Sequence, residues 1–147
     1  MNREMHPLAI ILFEGKDCPA NGFQCAGRKI SMQFNEVISL IIPDQETVLR
    51  RFAGNASLLE RFVRKFPQDQ SFEKLTAAME AGDYPAIETA AHTLKGVSGN
   101  LGFQKLFETS EEMVVAVRSQ NYDHLQPLYD SIKEDYTQLM ANLSLLD

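Results

Sequence analysis

The chain has 147 residues, a formal net charge of -6, 44 % hydrophobic and 23 % charged residues, the profile of one soluble globular domain. The acidic balance, with a pI near 5.1, excludes nucleic acid as a main partner, because phosphate backbones require a basic face. Cys18 and Cys25 make no disulfide framework and point to a reducing compartment, with the cytoplasm as the expectation. The longest apolar run near the start, Pro7 to Phe13, is too short to span a bilayer. It lacks a convincing cleavage site, so neither a signal peptide nor a membrane partner is expected.

Residues 1–42 read as an N-terminal extension and residues 43–147 as the main domain. Within the extension, Leu8 to Phe13 suits a short strand and Gly15 to Gly27 a loop,. Phe34, Val37, Ile38, Ile41 and Ile42 are spaced for one face of a short helix over Met32 to Ile42,. His6 with the two cysteines fits no zinc spacing and lacks a fourth ligand, so no metal site is expected,.

Helix signals become regular from Pro43 onward. Asp44 caps a helix from Gln45 that Gly54 ends,. Asn55 caps the next, with Leu58, Leu59, Phe62, Val63 and Phe66 on one face, and Pro67 breaks it,. A third runs from about Gln68 to Ala81 and stops at Gly82,. Asp83 caps a fourth, with Pro85 in its first turn, that reaches Leu101 and Gly102,. A fifth covers about Phe103 to Gln120. Asp123 caps a sixth, about His124 to Leu145, with the stripe Leu125, Leu128, Ile132, Tyr136, Leu139 and Leu143,. Loops of two to four residues make consecutive helices antiparallel neighbours. The expected fold is all-α: an up-and-down four-helix bundle with additional short N-terminal helices.

The fourth helix carries the chemistry. At about 100° per residue, His92, Lys95, Gly96 and Gly99 share one face with Glu88, one turn earlier. Ile87, Ala90, Leu94, Val97, Ser98 and Leu101 share the opposite, core face. Two glycines on the histidine's own face each cost about 1 kcal/mol of helix stability relative to Ala. Such a face suits close approach by another molecule. An exposed imidazole is a nucleophile near pH 7, since imidazole titrates near neutrality. Lys95 lies one turn along and can offset the charge of a phosphoryl group. Gly96, Gly99 and Gly102 sit late in a helix rather than after a strand, so they form no dinucleotide fingerprint. No nucleotide loop and no nucleophile–base set completes a kinase or a hydrolase.

Ala91-His92-Thr93-Leu94-Lys95-Gly96-Val97-Ser98-Gly99-Asn100-Leu101-Gly102 resembles the signature of histidine-containing phosphotransfer domains of two-component phosphorelays. The resemblance extends over roughly residues 43–146. It includes Phe52-Ala53-Gly54-Asn55 in the opening helices and Ala81-Gly82-Asp83-Tyr84 at the turn into the histidine helix. The resemblance implies a phosphorelay intermediate. His92 would accept a phosphoryl group from a receiver-domain aspartate and pass it to another receiver aspartate. Lys95 would support the charge, and Glu88, Gly96, Gly99 and Phe103 would form the docking face. It implies no cofactor of its own, Mg²⁺ being supplied by the receiver, and no intrinsic ATP-dependent kinase activity. The partners would be receiver domains of a hybrid histidine kinase and of a response regulator, met by a monomer.

Many relay members place a polar residue on the following helix near the histidine. The corresponding positions here are Val114, Val115 and Ala116, leaving Gln104, Glu108 or Glu111 as substitutes. Residues Ile10 to Glu14 and the stretch to Ile30 are faintly similar to the phosphoacceptor strand and loop of a receiver, at most a remnant. Alternative readings are a phosphotransfer module related to chemotaxis-type kinases and a helical adaptor that is not phosphorylated.

Overall fold

A computed structural model describes residues 31–146. The strand, loop, metal and receiver-remnant expectations for residues 1–30 lie outside the described residues. Seven α-helices follow in order: α1 (Phe34–Ile41), α2 (Gln45–Arg51), α3 (Ala56–Lys65), α4 (Ser71–Ala81), α5 (Tyr84–Leu101), α6 (Gln104–Arg118) and α7 (Leu125–Leu143). Short 3-10 turns cover Phe66–Gln68 and Tyr122–His124. No strand occurs among the described residues, only an isolated bridge between Met32 and Leu146. None of the described helices is long and apolar enough to cross a membrane.

The caps explain most boundaries. Asp44 accepts from the Thr47 N–H at 3.0 Å, Asn55 from Leu58 at 3.0 Å and Asp83 from Ala86 at 3.1 Å. Each satisfies a helix-start donor with no intrahelical partner. Gly82 and Gly102 end α4 and α5 at φ 64° and 78°, the left-handed conformation glycine adopts without penalty. Two starts differ from the sequence reading. Phe66–Gln68 continues α3 as a tighter turn, and Asp69 accepts from Ser71 N–H at 2.8 Å, so α4 begins at Ser71. Asp123 lies inside the second 3-10 turn and does not cap α7. Asp83→Ala is expected to lower stability by about 1 kcal/mol, read from a urea denaturation curve.

Helices α4 to α7 form the bundle. Leu75 and Ala78 of α4, Ile87, Ala91, Leu94 and Leu101 of α5, Leu106, Met113, Val114 and Val117 of α6, and Ile132, Leu139 and Leu143 of α7 meet in its core. Burial of the Val, Leu, Ile and Met side chains among them contributes about 1.5–3 kcal/mol each. The α4–α7 edge is closed by aromatic rings. Phe72 stacks on Tyr136 at 4.2 Å between centroids, and the Tyr129 hydroxyl bonds to the Thr76 hydroxyl at 3.0 Å. Helix α1 packs on α7 and buries Val37, Ile38, Ile41 and Ile42 in the same core. The expected division at residue 42 therefore cuts through one packed body: residues 34–42 belong with the bundle. Helix α2 lies over the C-terminal end of α5, with Val48 buried beneath it.

Candidate functional site

The 18-residue helix α5 presents two contrasting faces. Ile87, Ala90, Ala91, Leu94, Ser98 and Leu101 are buried, while Thr89, His92, Thr93, Gly96 and Asn100 are exposed. The one polar side chain on the buried face, Ser98, is satisfied by donating to the Leu94 carbonyl at 2.7 Å. His92 therefore stands at the middle of the open face. Its imidazole has no hydrogen bond or ion pair among the described residues, so neither ring nitrogen is committed to a neighbour.

A seam between α5 and α6 runs beside His92. The rings of Tyr84 and Tyr122 stack 3.7 Å apart and 3° from parallel. Glu88 accepts from Arg118 Nε at 2.7 Å. Lys95 Nζ meets Glu111 Oε1 at 3.4 Å. From Glu88–Arg118 to Lys95–Glu111 each step forward along α5 is matched by an equal step back along α6, so the two pairs define one antiparallel register, which the stacked rings continue into the turn after α6. In that register Ala91 and His92 stand opposite Val115 and Val114. Val114 is buried, whereas Val115 is 57 % exposed. The seam thus carries a paired contact on either side of the histidine and an aliphatic side chain across from it. Of the three polar substitutes left open by the sequence, Glu111 reaches this face, and it reaches Lys95 rather than His92. Gln104 and Glu108 bond to each other.

The predicted docking residues separate. Gly96 is open: a Cβ there would meet nothing within 4 Å. At Gly99 a Cβ would fall 2.9 Å from Phe107 Cδ2, and the Gly99 carbonyl accepts from the Arg51 guanidinium. Packing of α6 therefore accounts for the second glycine. Glu88 is on the face expected, engaged with Arg118. Phe103 is corrected: it is only 3 % exposed and packs edge-on against Phe66 at 5.0 Å. The docking face that the resemblance implies for it stops at Gly102, where the left-handed turn redirects the chain inward. Ala at position 96 is expected to stabilise the fold by up to about 1 kcal/mol. At position 99 the same change is expected to give no gain or a loss, because the Phe107 ring must shift. Urea curves of the two variants measured side by side check this.

Arg51 was not legible as a neighbour of the site, being 48 residues from Gly99 with no local signal joining them. It lines a cleft of about 470 Å³ together with Thr47, Lys95, Gly96 and Gln104. The cleft opens beside the Lys95–Gly96 end of the histidine face. No group of three or more His, Cys, Asp or Glu side chains arranged to hold a metal ion occurs among the described residues.

Searches of curated proteins and of solved structures found no match. The family model for the Hpt domain matches residues 57–142. That range covers more than half of the chain and runs from the first turn of α3 to the last turn of α7, with His92 inside it. An all-helical bundle with one uncommitted histidine in the middle of an exposed helix face, beside a lysine and an open glycine, agrees with that match. The chain belongs to the Hpt family, whose members carry out histidine phosphotransfer in two-component signalling and interact with receiver domains.

Proposed function

We propose that the protein is a phosphorelay intermediate, with His92 accepting a phosphoryl group from one receiver aspartate and donating it to another. The observation that carries this reading is the open setting of His92: exposed, unbonded among the described residues, and flanked at Gly96 by bare helix backbone. The neutral imidazole attacks the phosphorus of an aspartyl phosphate through Nε2, in line with the bond that breaks. The P–N bond forms, the P–O bond to the aspartate breaks, and the carboxylate leaves with the electron pair. The Nδ1 proton is free to pass to solvent. The reverse step delivers the group to the second receiver. Lys95 sits one turn along and offsets charge on the phosphorylated state.

Mg²⁺ and most charge stabilisation at the transferring group belong to the receiver in this scheme, since phosphoryl transfer is largely positioning and electrostatics. The partners are receiver domains of a hybrid histidine kinase and of a response regulator, encountered in the cytoplasm by a monomer. The test is transfer from a panel of isolated receiver domains charged with radiolabelled acetyl phosphate, in the presence of Mg²⁺. Label that moves to the protein, is lost in acid, survives alkali and can be chased onto a second receiver is the expected result. Binding to receivers without label transfer from any of them would favour the adaptor reading and overturn the relay.

A further inference from the structure

Lys95 is committed before any phosphoryl group arrives. Its ammonium lies 3.4 Å from the Glu111 carboxylate, and the two side chains are 25 % and 49 % exposed. Glu111 has no other partner among the described residues. The same seam carries the Glu88–Arg118 pair between α5 and α6, and Tyr84 stacked on Tyr122 of the turn that follows α6. Lysine presents a point charge on a flexible stem. It can swing one turn toward His92, but it cannot serve the carboxylate and a phosphoryl group equally well at once.

We infer that Glu111 is a positioning residue that holds Lys95 off His92 in the unphosphorylated protein, and that phosphorylation proceeds with exchange of Lys95 from Glu111 to the phosphoryl oxygens. The inference rests on the reading of His92 as the phosphoacceptor. The holding contact is a partly exposed ion pair, so it is weak enough to break on demand. Pairs of this kind shift an equilibrium by about two- to fivefold. The exchange ties the charge available to His92 to the state of α6, which otherwise has no polar side chain opposite the histidine. In the register of the seam the buried Val114 occupies that place, with the exposed Val115 beside it.

The experiment must separate release of Lys95 from loss of a negative charge. Glu111→Asp keeps the charge and withdraws the carboxylate by one methylene. The full chain is phosphorylated with phosphoramidate, which needs no receiver, and the initial rate of label uptake at His92 is measured for wild type, Glu111→Asp, Lys95→Met and the double variant. The expected result is a rate raised about two- to fivefold by Glu111→Asp when Lys95 is present, and no change when it is replaced by Met. Thermal midpoints of all four should agree, since an exposed pair contributes little to folding. An unchanged rate in Glu111→Asp, an equal gain in the Lys95→Met background, or no uptake at His92 overturns the inference. Receiver transfer is scored separately. Loss of the coupling with receiver transfer intact overturns this inference alone, and coupling without transfer from any receiver overturns the relay reading alone.

Discussion

Replacing His92 by glutamine is expected to reduce phosphoryl uptake from a charged receiver by at least about a thousandfold, with the fold unchanged. The chemical reason is that an amide nitrogen has its lone pair delocalised into the carbonyl and cannot attack phosphorus, whereas the imidazole Nε2 can. The structural reason for an intact fold is that His92 makes no hydrogen bond or ion pair among the described residues and is exposed at the middle of α5. Glutamine is also a good helix former. The thermal midpoint should therefore stay within a degree or two, while acid-labile label disappears. His124 provides an internal control. It is exposed in the turn before α7, with no glycine-bare helix face around it. Label persisting in His92→Gln at the wild-type rate would assign the chemistry to another residue and end the present reading.

Much of this arrangement is readable from local sequence because its determinants are local. Asp44, Asn55 and Asp83 cap helices using donors three residues ahead. Gly82 and Gly102 stop helices through their own φ angles. The two faces of α5 follow from a helical period that holds without interruption from Tyr84 to Leu101. Within that window the wheel separates the buried Leu94 and Ser98 from the exposed His92 and Gly96 correctly. It fails at the first residue beyond it. Phe103 has the right number for the histidine face and the wrong surroundings, because a single left-handed residue intervenes.

The features the sequence did not disclose are tertiary. Gly99 looks identical to Gly96 on a wheel, yet only Gly99 faces Phe107, and that contact depends on how α6 lies across α5. The same dependence hides the seam. Glu88 and Arg118 are 30 residues apart, and nothing near either one announces the other. Nothing in the sequence around Tyr84 or Tyr122 announces that their rings stack. The resemblance implies a polar residue near the histidine at positions 114–116, where the chain has Val114, Val115 and Ala116. In the register of the seam Val114 stands opposite His92 and Val115 opposite Ala91. One turn along α6 from there, Glu111 pairs with Lys95 rather than with His92.

All of these contacts share the turn between α5 and α6, so the most disruptive small substitution is expected at Gly102. Gly102→Ala should destabilise the protein by about 2–4 kcal/mol, for two separable reasons. The backbone at φ 78° is left-handed, which costs a residue with a Cβ about 1–2 kcal/mol. The added methyl would also clash with Val48 Cγ2 and lie 3.1 Å from Ile42 Cγ2, inside a core that cannot yield without moving α2. Gly82 separates the two contributions. It has φ 64°, but a Cβ there would meet nothing within 4 Å, so Gly82→Ala should show the backbone cost alone. Against a total stability of about 5–15 kcal/mol, the Gly102 variant should melt roughly ten degrees or more below wild type and the Gly82 variant only slightly below. Adding Val48→Ala should recover part of the loss at position 102 by opening room for the methyl. Equal costs at the two glycines would mean that α2 does not press on this turn. The loss at Gly102 would then be the backbone cost alone, with no share from Val48 and Ile42.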